Sequence, residues 1–310
     1  MTGSTGPPAG LARLTPLDPL GGSGGSYVDE LVEVCRAVDR GPAGDARAVT
    51  STSHFDVYRD GRRLVVVHRL APEASDENVT TTLRRELFDP GWVRGTEMFE
   101  RIFAGVVQST DDDPAAAWEC FYRNTLRRLN EIIAGPDSTA CDGVIGEHAP
   151  VYRRALELAL GPSSLELGSC FGFLSLLLAQ RGMHGVGVDV APGSARLLGL
   201  IARRLGLAVT GLVGDAARVP LPDRAVDTAL VVHLLEHVSA DHGTRVLNEA
   251  IRLSRRRVVV AVPYEQVPDE TYGHVRTVTP RDLRAWGASA GLPFRVEHHH
   301  GGWLVIDCAS

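Results

Sequence analysis

The chain has 310 residues, of which 44% are hydrophobic, and its formal net charge at pH 7 is −6. This length and composition suffice for a globular protein with one large domain and a smaller one. The acidic balance disfavours nucleic acid as a partner. The first residues do not resemble a signal peptide, and the sequence has no run of 18 or more apolar residues. We therefore expect a cytoplasmic protein without a membrane span.

The first part of the chain combines a polar tail with short ordered elements. Residues 1–25 are rich in Gly, Pro, Ser and Thr, a composition that predicts a disordered tail. Apolar residues at helical spacing predict a helix over residues 27–38. Residues 55–67 are typical of a β-hairpin that turns at Asp60-Gly61. A small α+β unit therefore begins after the tail.

Residues 78–133 have a mostly helical pattern, with a break at Asp89-Pro90-Gly91 and a polar loop at residues 111–114. Aromatic side chains concentrate in this segment, and they are interpreted as the core of the small domain. Alternatively, some of these rings line a ligand pocket, because aromatic faces stack on flat ligands and sugars. The rings that could do so are Trp92, Trp118 and Tyr122. An N-terminal α+β extension is therefore predicted over residues 26–137.

From residue 138 onwards, helical and strand patterns alternate, which predicts a parallel sheet. A helix over residues 149–160 is followed by predicted strands at residues 165–167, 185–190, 209–213, 226–232 and 257–262. Thr279-Pro280-Arg281-Asp282 has the N-cap, first-turn proline and capping-box acid that begin a helix. Residues 294–298 and 303–308 then form an antiparallel hairpin. The predicted fold of residues 138–310 is a doubly wound, Rossmann-like α/β domain with a seven-stranded sheet that ends in this hairpin.

The most informative motif is Glu166-x-Gly168-x-Cys170-x-Gly172, which joins a predicted strand to a predicted helix. The next two strands end in acids, Asp189 and Asp215. In an open α/β sheet, ligands bind outside the carboxyl ends of the strands, where glycine admits the backbone and an acid accepts ribose hydroxyls. The pattern therefore predicts a crevice that binds a nucleoside.

With these motifs, residues 149–310 resemble the class I S-adenosylmethionine-dependent methyltransferases. Gly214-Asp215-Ala216 resembles the adenine-side segment of that family, and Leu235-Glu236-His237-Val238 follows the fourth strand as in many members. The G-x-G-x-x-G spacing of dinucleotide-binding dehydrogenases is absent from the turn. The resemblance implies S-adenosylmethionine as the cofactor. It assigns cofactor binding to Glu166, Gly168, Cys170, Gly172, Asp189, Val190, Asp215, Ala216 and His233.

Three of these assignments carry a condition or an alternative. Cys170 replaces the middle glycine of the family motif, and a side chain there is tolerated if the backbone φ is negative. Glu166 either orients the loop or reaches the methionine amino group through water. Asp215 lies near the adenine edge or caps the next turn.

The catalytic candidates are His233, Glu236, His237 and His274. The first three occupy positions i, i+3 and i+4 and share one face if that turn is helical. One of the histidines could be a general base, since imidazole titrates near neutral pH. The set also resembles the divalent-metal cluster of some sugar 2′-hydroxyl methyltransferases, and its imidazoles would suit zinc or manganese better than magnesium. A purely structural role is the third alternative.

The acceptor is expected to be a hydroxyl of a carbohydrate-bearing small molecule. The segment Trp118–Thr125 and the chain as a whole resemble the mycofactocin oligosaccharide methyltransferases of actinobacteria, which implies O-methylation of a glucose. The extension then covers the acceptor site, and Tyr264-Glu265 borders it, while His298-His299-His300 is interpreted as a strand end. The alternatives are a methyltransferase for a lipid, a quinone or a phenolic natural product, and a non-catalytic S-adenosylmethionine-binding protein.

Overall fold

The computed structural model describes residues 17–22, 24–38, 46–136, 142–269 and 273–308. Most of the predicted tail, residues 1–16, lies outside the described residues. In the part that is described, Leu17 and Leu20 pack against the hydrophobic core. The indole Nε1 of Trp118 donates a hydrogen bond to the carbonyl of Pro19 at 2.5 Å. The predicted disordered tail therefore does not extend through residues 17–22.

The N-terminal half contains a five-stranded sheet with the order β1-β2-β5-β4-β3. Its strands are β1 (Ser26–Val28), β2 (Val32–Arg36), β3 (Arg47–Ser51), β4 (Phe55–Asp60) and β5 (Arg63–His68). Strands β2 and β5 pair in parallel, and the other pairs are antiparallel. The predicted hairpin is confirmed as β4 and β5, and Gly61 adopts the φ of 57° that its tight turn requires.

The helix predicted over residues 27–38 is wrong, because this segment forms β1 and β2. Val32 and Val34 are fully buried, whereas Glu33 between them is not. This alternation is the period of a strand with one buried face, and valine favours strands. Val34 pairs with Val66 of β5, so the partner that stabilises the extended conformation lies far along the chain.

The helical segment of the N-terminal half agrees with the sequence pattern over residues 78–133. Helix α1 (Val79–Leu83) continues into one π-helical turn, Arg84–Phe88, and is followed by α2 (Thr96–Gln108) and α3 (Pro114–Ala134). Asp113 accepts a hydrogen bond from the backbone N–H of Ala115 and caps α3, whose first residue is a proline.

The second half is built on a seven-stranded sheet with the order β11-β12-β10-β9-β6-β7-β8. Its strands are β6 (Ser163–Leu167), β7 (His184–Asp189), β8 (Val209–Val213), β9 (Val226–Val232), β10 (Ser254–Val262), β11 (Phe294–His298) and β12 (Gly302–Asp307). β6 to β10 are parallel, and β12 is antiparallel to both of its neighbours. The predicted sheet and its terminal hairpin are confirmed. The chain order reverses between β6 and β9, which is where this kind of sheet binds ligands.

Helices cover both faces of this sheet: α4 (Val144–Leu158), α5 (Phe173–Gln180), α6 (Pro192–Leu205), α7 (Ala240–Leu253) and α8 (Pro280–Ser289). The capping box predicted for α8 is present, since the Thr279 hydroxyl accepts from the Asp282 N–H and the Asp282 carboxylate accepts from the Thr279 N–H. Of the helices that the structure describes, none combines the length and apolarity needed to span a bilayer.

One hydrophobic core joins the two halves of the molecule. Phe103 and Trp118 of the N-terminal helices belong to the same buried cluster as Phe173 of α5 and Leu198 of α6. The Tyr122 hydroxyl donates to the carbonyl of Phe171 at 2.9 Å, in the turn between β6 and α5. The extension is therefore fixed directly onto the glycine turn.

The aromatic residues of α3 serve this core. Trp118 is 1% exposed and Tyr122 is fully buried, and both pack against Phe171. The alternative that Trp118 or Tyr122 lines a ligand pocket is therefore wrong, because their faces are covered by other rings. Trp92, the third ring considered, lies at the surface and is 49% exposed.

Candidate active site

A cavity of about 830 Å³ opens where β6, β9 and β10 end. This volume lies in the range of ligand pockets, about 300–1,000 Å³. The second half contributes the glycine turn, the segments that follow β9 and β10, and α4. The N-terminal half contributes α1, its π-helical turn and the start of α2. Both halves therefore enclose one site.

Two glycines of the turn are required by its backbone geometry. Gly168 has a φ of 74° and Gly172 a φ of 71°, a region in which side chains are strained. A Cβ at Gly168 would lie 2.7 Å from Leu234, and one at Gly172 would lie 2.5 Å from Leu198. The turn can therefore adopt this backbone conformation without strain only with glycine at both positions.

Cys170 adopts the same left-handed conformation, with a φ of 48°. The condition under which a side chain is tolerated here, a negative φ, is therefore not met, and the conformation costs about 1 kcal/mol. The Cys170 N–H donates to Oδ2 of Asp189 at 2.8 Å, a bond that holds the strained residue in place. Its side chain lines the cavity, and its protein surroundings, with the nearby Asp189 charge, raise the pKa of the thiol to about 12. The thiol is therefore protonated at neutral pH.

Asp189 ends β7 and connects the glycine turn to α6. Its Oδ2 accepts from Cys170, and its Oδ1 accepts from the backbone N–H of Ala191 at 2.8 Å. A carboxylate oxygen has a second acceptor site, so both oxygens can still accept hydrogen bonds from a vicinal diol. The adjacent Val190 is 76% exposed. The predicted contacts of Asp189 and Val190 with the cofactor stay predictions.

Glu166 is buried at the end of β6 and lines the cavity. Its Oε2 accepts from the Ser175 N–H at 3.0 Å and from the Ser175 hydroxyl at 2.6 Å. Burial raises the pKa of this carboxyl to about 7, against the opposing effect of the two bonds. The geometry agrees with the first alternative for Glu166, that it orients the loop, because the bonds connect β6 to the first turn of α5.

Asp215 follows β8 and caps the turn that comes next. Its Oδ1 accepts from the Ala217 N–H at 2.8 Å and lies 3.0 Å from Nε2 of His242. Ala216 packs against the hydrophobic core on this side of the sheet. The capping alternative for Asp215 is thus observed, and the adenine contacts of Asp215 and Ala216 stay predictions.

Glu236, His237 and His274 form a compact cluster after β9 and β10. One potential ligand atom from each lies within 4.8 Å of the other two. The rings of His237 and His274 meet edge to face with centroids 4.8 Å apart. Nδ1 of His274 lies 2.8 Å from a carboxylate oxygen of Glu265, which also lines the cavity. Segments far apart in the sequence thus converge on one group of donors.

Glu236 is 1% exposed, and neither of its carboxylate oxygens has a hydrogen-bond partner among the described residues. Burial raises the pKa of this group to about 8. Buried polar atoms are almost always paired, so a carboxylate with both oxygens unpaired is a strong indication of a missing ligand or proton.

The helical face predicted for His233, Glu236 and His237 does not form. His233 has a φ of 49°, and only Leu235–His237 make a helical turn, a 3₁₀ turn. His233 lines the cavity next to His148, and the centroids of the two rings are 6.2 Å apart. Burial and three neighbouring imidazoles lower the pKa of His233 to about 3. It is therefore neutral at physiological pH and a weak base.

Three further residues of the site carry no recognisable sequence motif. Glu77, which is 6% exposed, extends Oε1 to 3.4 Å from Nδ1 of His148 on α4. Burial opposes the charged form of His148, but the Glu77 charge outweighs it and raises the pKa of the imidazole. Tyr152 lies one helical turn further, with its ring 5.5 Å from His148. Sequence reasoning missed these residues because α1 and α4 meet only in the folded chain.

The terminal histidines behave differently from one another. His298 stacks on Tyr264 with a centroid distance of 5.5 Å, whereas His300 lines the cavity. The three side chains therefore do not point at one ligand. His300 was missed as a cavity residue because it lies in the turn beyond β11, where its φ of 48° redirects the chain.

Residues 165–262, from β6 to the end of β10, match the family model of a methyltransferase domain. No curated protein sequence matches the chain significantly. A solved S-adenosylmethionine-dependent methyltransferase from Aquifex aeolicus is 16% identical, with 59% of this chain and 96% of that chain covered and a TM-score of 0.42.

Two other solved structures show similar values. A methyltransferase of the same description from Methanosarcina mazei is 18% identical, covers 50% of this chain and 97% of its own, and has a TM-score of 0.42. A geranyl diphosphate methyltransferase, solved with GPP and sinefungin, is 16% identical, covers 51% of this chain and 78% of its own, and has a TM-score of 0.45. The family match thus covers residues 165–262, and the crevice lies at the switch point of the sheet that this segment forms.

Proposed function

We propose that the protein transfers a methyl group from S-adenosylmethionine to a hydroxyl of a carbohydrate-bearing small molecule, and that this acceptor is a glucose of the mycofactocin oligosaccharide. The observation that carries the proposal is the unpaired buried carboxylate of Glu236 beside His237 and His274, at a cavity that both halves of the chain enclose. The choice of glucose rests on the resemblance of the sequence to the mycofactocin methyltransferases.

A hydroxyl acceptor explains why the site concentrates titratable groups. In methyl transfer the acceptor oxygen forms a bond to the methyl carbon while the bond from that carbon to sulfur breaks, leaving neutral S-adenosylhomocysteine. The acceptor proton must leave during this step, because an alcohol is a weak nucleophile at neutral pH. The Glu236, His237 and His274 cluster can assist either through an imidazole base or through a bound divalent ion.

The part of the cavity wall that the N-terminal half supplies suits a sugar. The N-terminal half lines it with hydroxyl, guanidinium and carboxylate side chains, which pair with sugar hydroxyls: Thr80, Thr81, Arg84, Asp89 and Thr96. Phe88 and Phe99 lie beside them as an edge-to-face pair, with centroids 5.1 Å apart. A mixture of polar donors and aromatic faces is the arrangement by which proteins bind sugar rings.

A radiochemical assay tests this function. The purified protein, S-adenosylmethionine labelled in the methyl group and a glucose-containing oligosaccharide are expected to yield label in the polar glycan fraction. Label that enters only organic-extractable lipids, quinones or phenols would refute the carbohydrate acceptor, and calorimetric binding of S-adenosylmethionine without turnover of any acceptor would indicate a non-catalytic binding protein.

The His237→Ala variant tests the role of the cluster. We expect intact binding of S-adenosylmethionine and a fall in kcat of about 100-fold or more, the usual contribution of acid–base catalysis. His184→Ala, at an exposed position at the start of β7, is the control. An unchanged rate for His237→Ala would contradict the assigned role.

A further inference from the structure

We propose that Glu236, His237 and His274 bind a divalent transition-metal ion, and that zinc is the ion their donors fit best. The proposal rests on the cluster itself and does not require the acceptor to be known. Two imidazoles and one carboxylate are a frequent donor set of catalytic zinc sites, which keep a further position open for water or substrate. Magnesium is disfavoured because it prefers oxygen ligands.

The unpaired carboxylate of Glu236 is the first independent observation. An ionised carboxylate buried without partners costs several kcal/mol, and proteins usually avoid this by pairing or by metal coordination. The charge of Arg276 acts on Glu236, yet neither oxygen of the carboxylate forms a hydrogen bond within the described chain. A cation between Glu236, His237 and His274 would satisfy this group.

The contact between His274 and Glu265 is the second observation. Its distance of 2.8 Å joins Nδ1 of the imidazole to a carboxylate oxygen. Metal-bound histidines commonly donate the N–H of their second ring nitrogen to a carboxylate, which fixes the tautomer and leaves the other nitrogen for the metal. Glu265 thus fixes the orientation of the His274 ring, whose Nε2 would be the metal ligand.

The dimensions of the cluster are close to those of a filled site. Ligand atoms around a tetrahedral zinc ion at about 2.05 Å are about 3.4 Å apart. The corresponding atoms of Glu236, His237 and His274 are at most 4.8 Å apart, so binding requires each side chain to move by roughly 1 Å. Small changes in side-chain torsion suffice for this movement.

The ion would supply a specific function within the proposed reaction. His237, His274 and Glu265 line the cavity, whereas Glu236 is buried, so a coordination position that these residues leave open would face the cavity. A divalent ion lowers the pKa of a coordinated oxygen and orients it. This part of the inference rests on the proposed function, whereas metal binding itself can be measured without an acceptor.

Calorimetric titration with Zn²⁺ tests the site on chelator-treated full-length protein that was purified without a metal-affinity tag. We expect one saturable site in the wild type and a loss of at least tenfold in affinity for Glu236→Gln and for His274→Ala. Glu265→Gln is expected to weaken Zn²⁺ binding about 10- to 100-fold through His274. With Co²⁺ as the probe, the wild type should show a visible absorption band that Glu236→Gln lacks.

Glu236→Gln also separates loss of ligation from loss of folding. The variant replaces a buried carboxyl that has no hydrogen-bond partner by a neutral amide of nearly the same shape, so its metal-free melting temperature should be close to that of the wild type, while the stabilisation by Zn²⁺ disappears. His299→Ala is the control for adventitious binding by the terminal histidines. The absence of a one-to-one site in a wild type that binds S-adenosylmethionine would overturn the proposal, as would Zn²⁺ binding that His299→Ala removes and Glu236→Gln preserves.

A second, independent observation is the pair formed by Glu77 and His148. We infer that His148 accepts the acceptor proton through Nε2 and that Glu77 is its positioning residue. Oε1 of Glu77 lies 3.4 Å from Nδ1 of His148, and both that nitrogen and Oε2 of Glu77 are buried without a hydrogen-bond partner in the described structure. A carboxylate that orients an imidazole is a recurring arrangement for a general base, and its contact is often long until the substrate is bound.

The surroundings of His148 agree with this role. The charged and titratable groups that face it are Glu77 on the segment before α1, Glu147 and Tyr152 on α4, and His233 after β9. The two carboxylates raise the pKa of His148, whereas burial lowers that of His233. Of the two imidazoles that meet in this part of the cavity, His148 is therefore the stronger base. In the reaction, the proton of the acceptor hydroxyl moves to Nε2 as the bond from oxygen to the methyl carbon forms.

Steady-state kinetics of Glu77→Gln and His148→Gln test the inference, which rests on the proposed function. Both variants should lower kcat, about 100-fold for His148→Gln, with unchanged affinity for S-adenosylmethionine by calorimetry. Glu77→Gln should also move the acidic limb of the pH–rate profile to lower pH, because the carboxylate that stabilises the imidazolium is lost. The control is Glu157→Gln on the exposed end of the same helix.

Other outcomes assign these residues differently. Weakened cofactor binding with an unchanged kcat would make Glu77 and His148 cofactor ligands and overturn the inference. An unchanged pH–rate profile in Glu77→Gln would also overturn the inference, since a carboxylate with a purely structural role does not change the pKa that the acidic limb reports. If the wild type binds S-adenosylmethionine but methylates no acceptor, the proposed function fails rather than this assignment.

Discussion

Replacement of Glu166 by glutamine should change how the stability of the protein depends on pH. Burial raises the pKa of this carboxyl from 4.5 to about 7. Because one pKa unit corresponds to about 1.4 kcal/mol, the ionised carboxylate destabilises the native state by about 3 kcal/mol. Glutamine has nearly the same shape, and its carbonyl oxygen can still accept both hydrogen bonds from Ser175.

The sign follows from proton linkage. The native state binds this proton more tightly than the unfolded state, so the stability that Glu166 contributes is fully present at low pH and is lost as the pH rises through about 7. In urea unfolding, the free energy of the cofactor-free wild type should fall by roughly 2 to 3 kcal/mol between about pH 5 and about pH 8 because of this group. Glu166→Gln should lack this loss.

Glu131→Gln, at an exposed position on α3, is the matched control. Its pH dependence should parallel that of the wild type. The reasoning is refuted if Glu166→Gln and the wild type lose stability in parallel over this interval. Since S-adenosylmethionine carries a positive ammonium and a positive sulfonium, its presence should also favour ionised Glu166 and reduce the loss in the wild type.

Three further variants test the turn and the core. Asp189→Ala should weaken S-adenosylmethionine binding at least about 100-fold in calorimetry, because hydrogen bonds to a carboxylate contribute about 1.5–3 kcal/mol each. If the variant binds S-adenosylmethionine as tightly as the wild type, Asp189 does not bind the ribose. Cys170→Gly should raise the free energy of unfolding by about 1 kcal/mol, because glycine adopts the left-handed conformation without strain, whereas Cys170→Ala, which keeps a Cβ, should not. Equal effects of the two substitutions in urea unfolding would refute the backbone strain assigned to Cys170. Trp118→Ala should lower the free energy of unfolding by about 3–5 kcal/mol. The control Val38→Ala, at a side chain that is 85% exposed, should leave the free energy of unfolding unchanged. A loss below about 1 kcal/mol for Trp118→Ala would show that Trp118 is not a core residue.

The elements that sequence reasoning predicted correctly are those whose determinants are local. The alternation of strands and helices after residue 138, the capping box at Thr279 and the turn at Gly61 each depend on a few neighbouring residues. The segment 27–38 was mispredicted because its strands are stabilised by pairing with β5, and the local spacing of its apolar residues is compatible with a helix.

The same distinction applies to the candidate site. The glycine turn and Asp189 were located from a motif, and Glu236, His237 and His274 from their residue types. The prediction that His233 shares a helical face with Glu236 and His237 was wrong, because a left-handed φ turns the chain at His233. Sequence spacing does not reveal such a φ. Glu77 and His148 carry no pattern at all, since only the packing of α1 against α4 brings them together.

The hydrogen bond from the Tyr122 hydroxyl to the carbonyl of Phe171 has a consequence for chimaeras in which the N-terminal half is exchanged between related proteins. The helix that carries Tyr122 supports the glycine turn, beside which the cofactor is proposed to bind. A chimaera that receives its N-terminal half from a relative would keep the cavity residues of the second half but lose the fit between α3 and that turn. Transplantation of acceptor preference should therefore require Phe171 and Phe173 to be transferred together with the helices that pack on them.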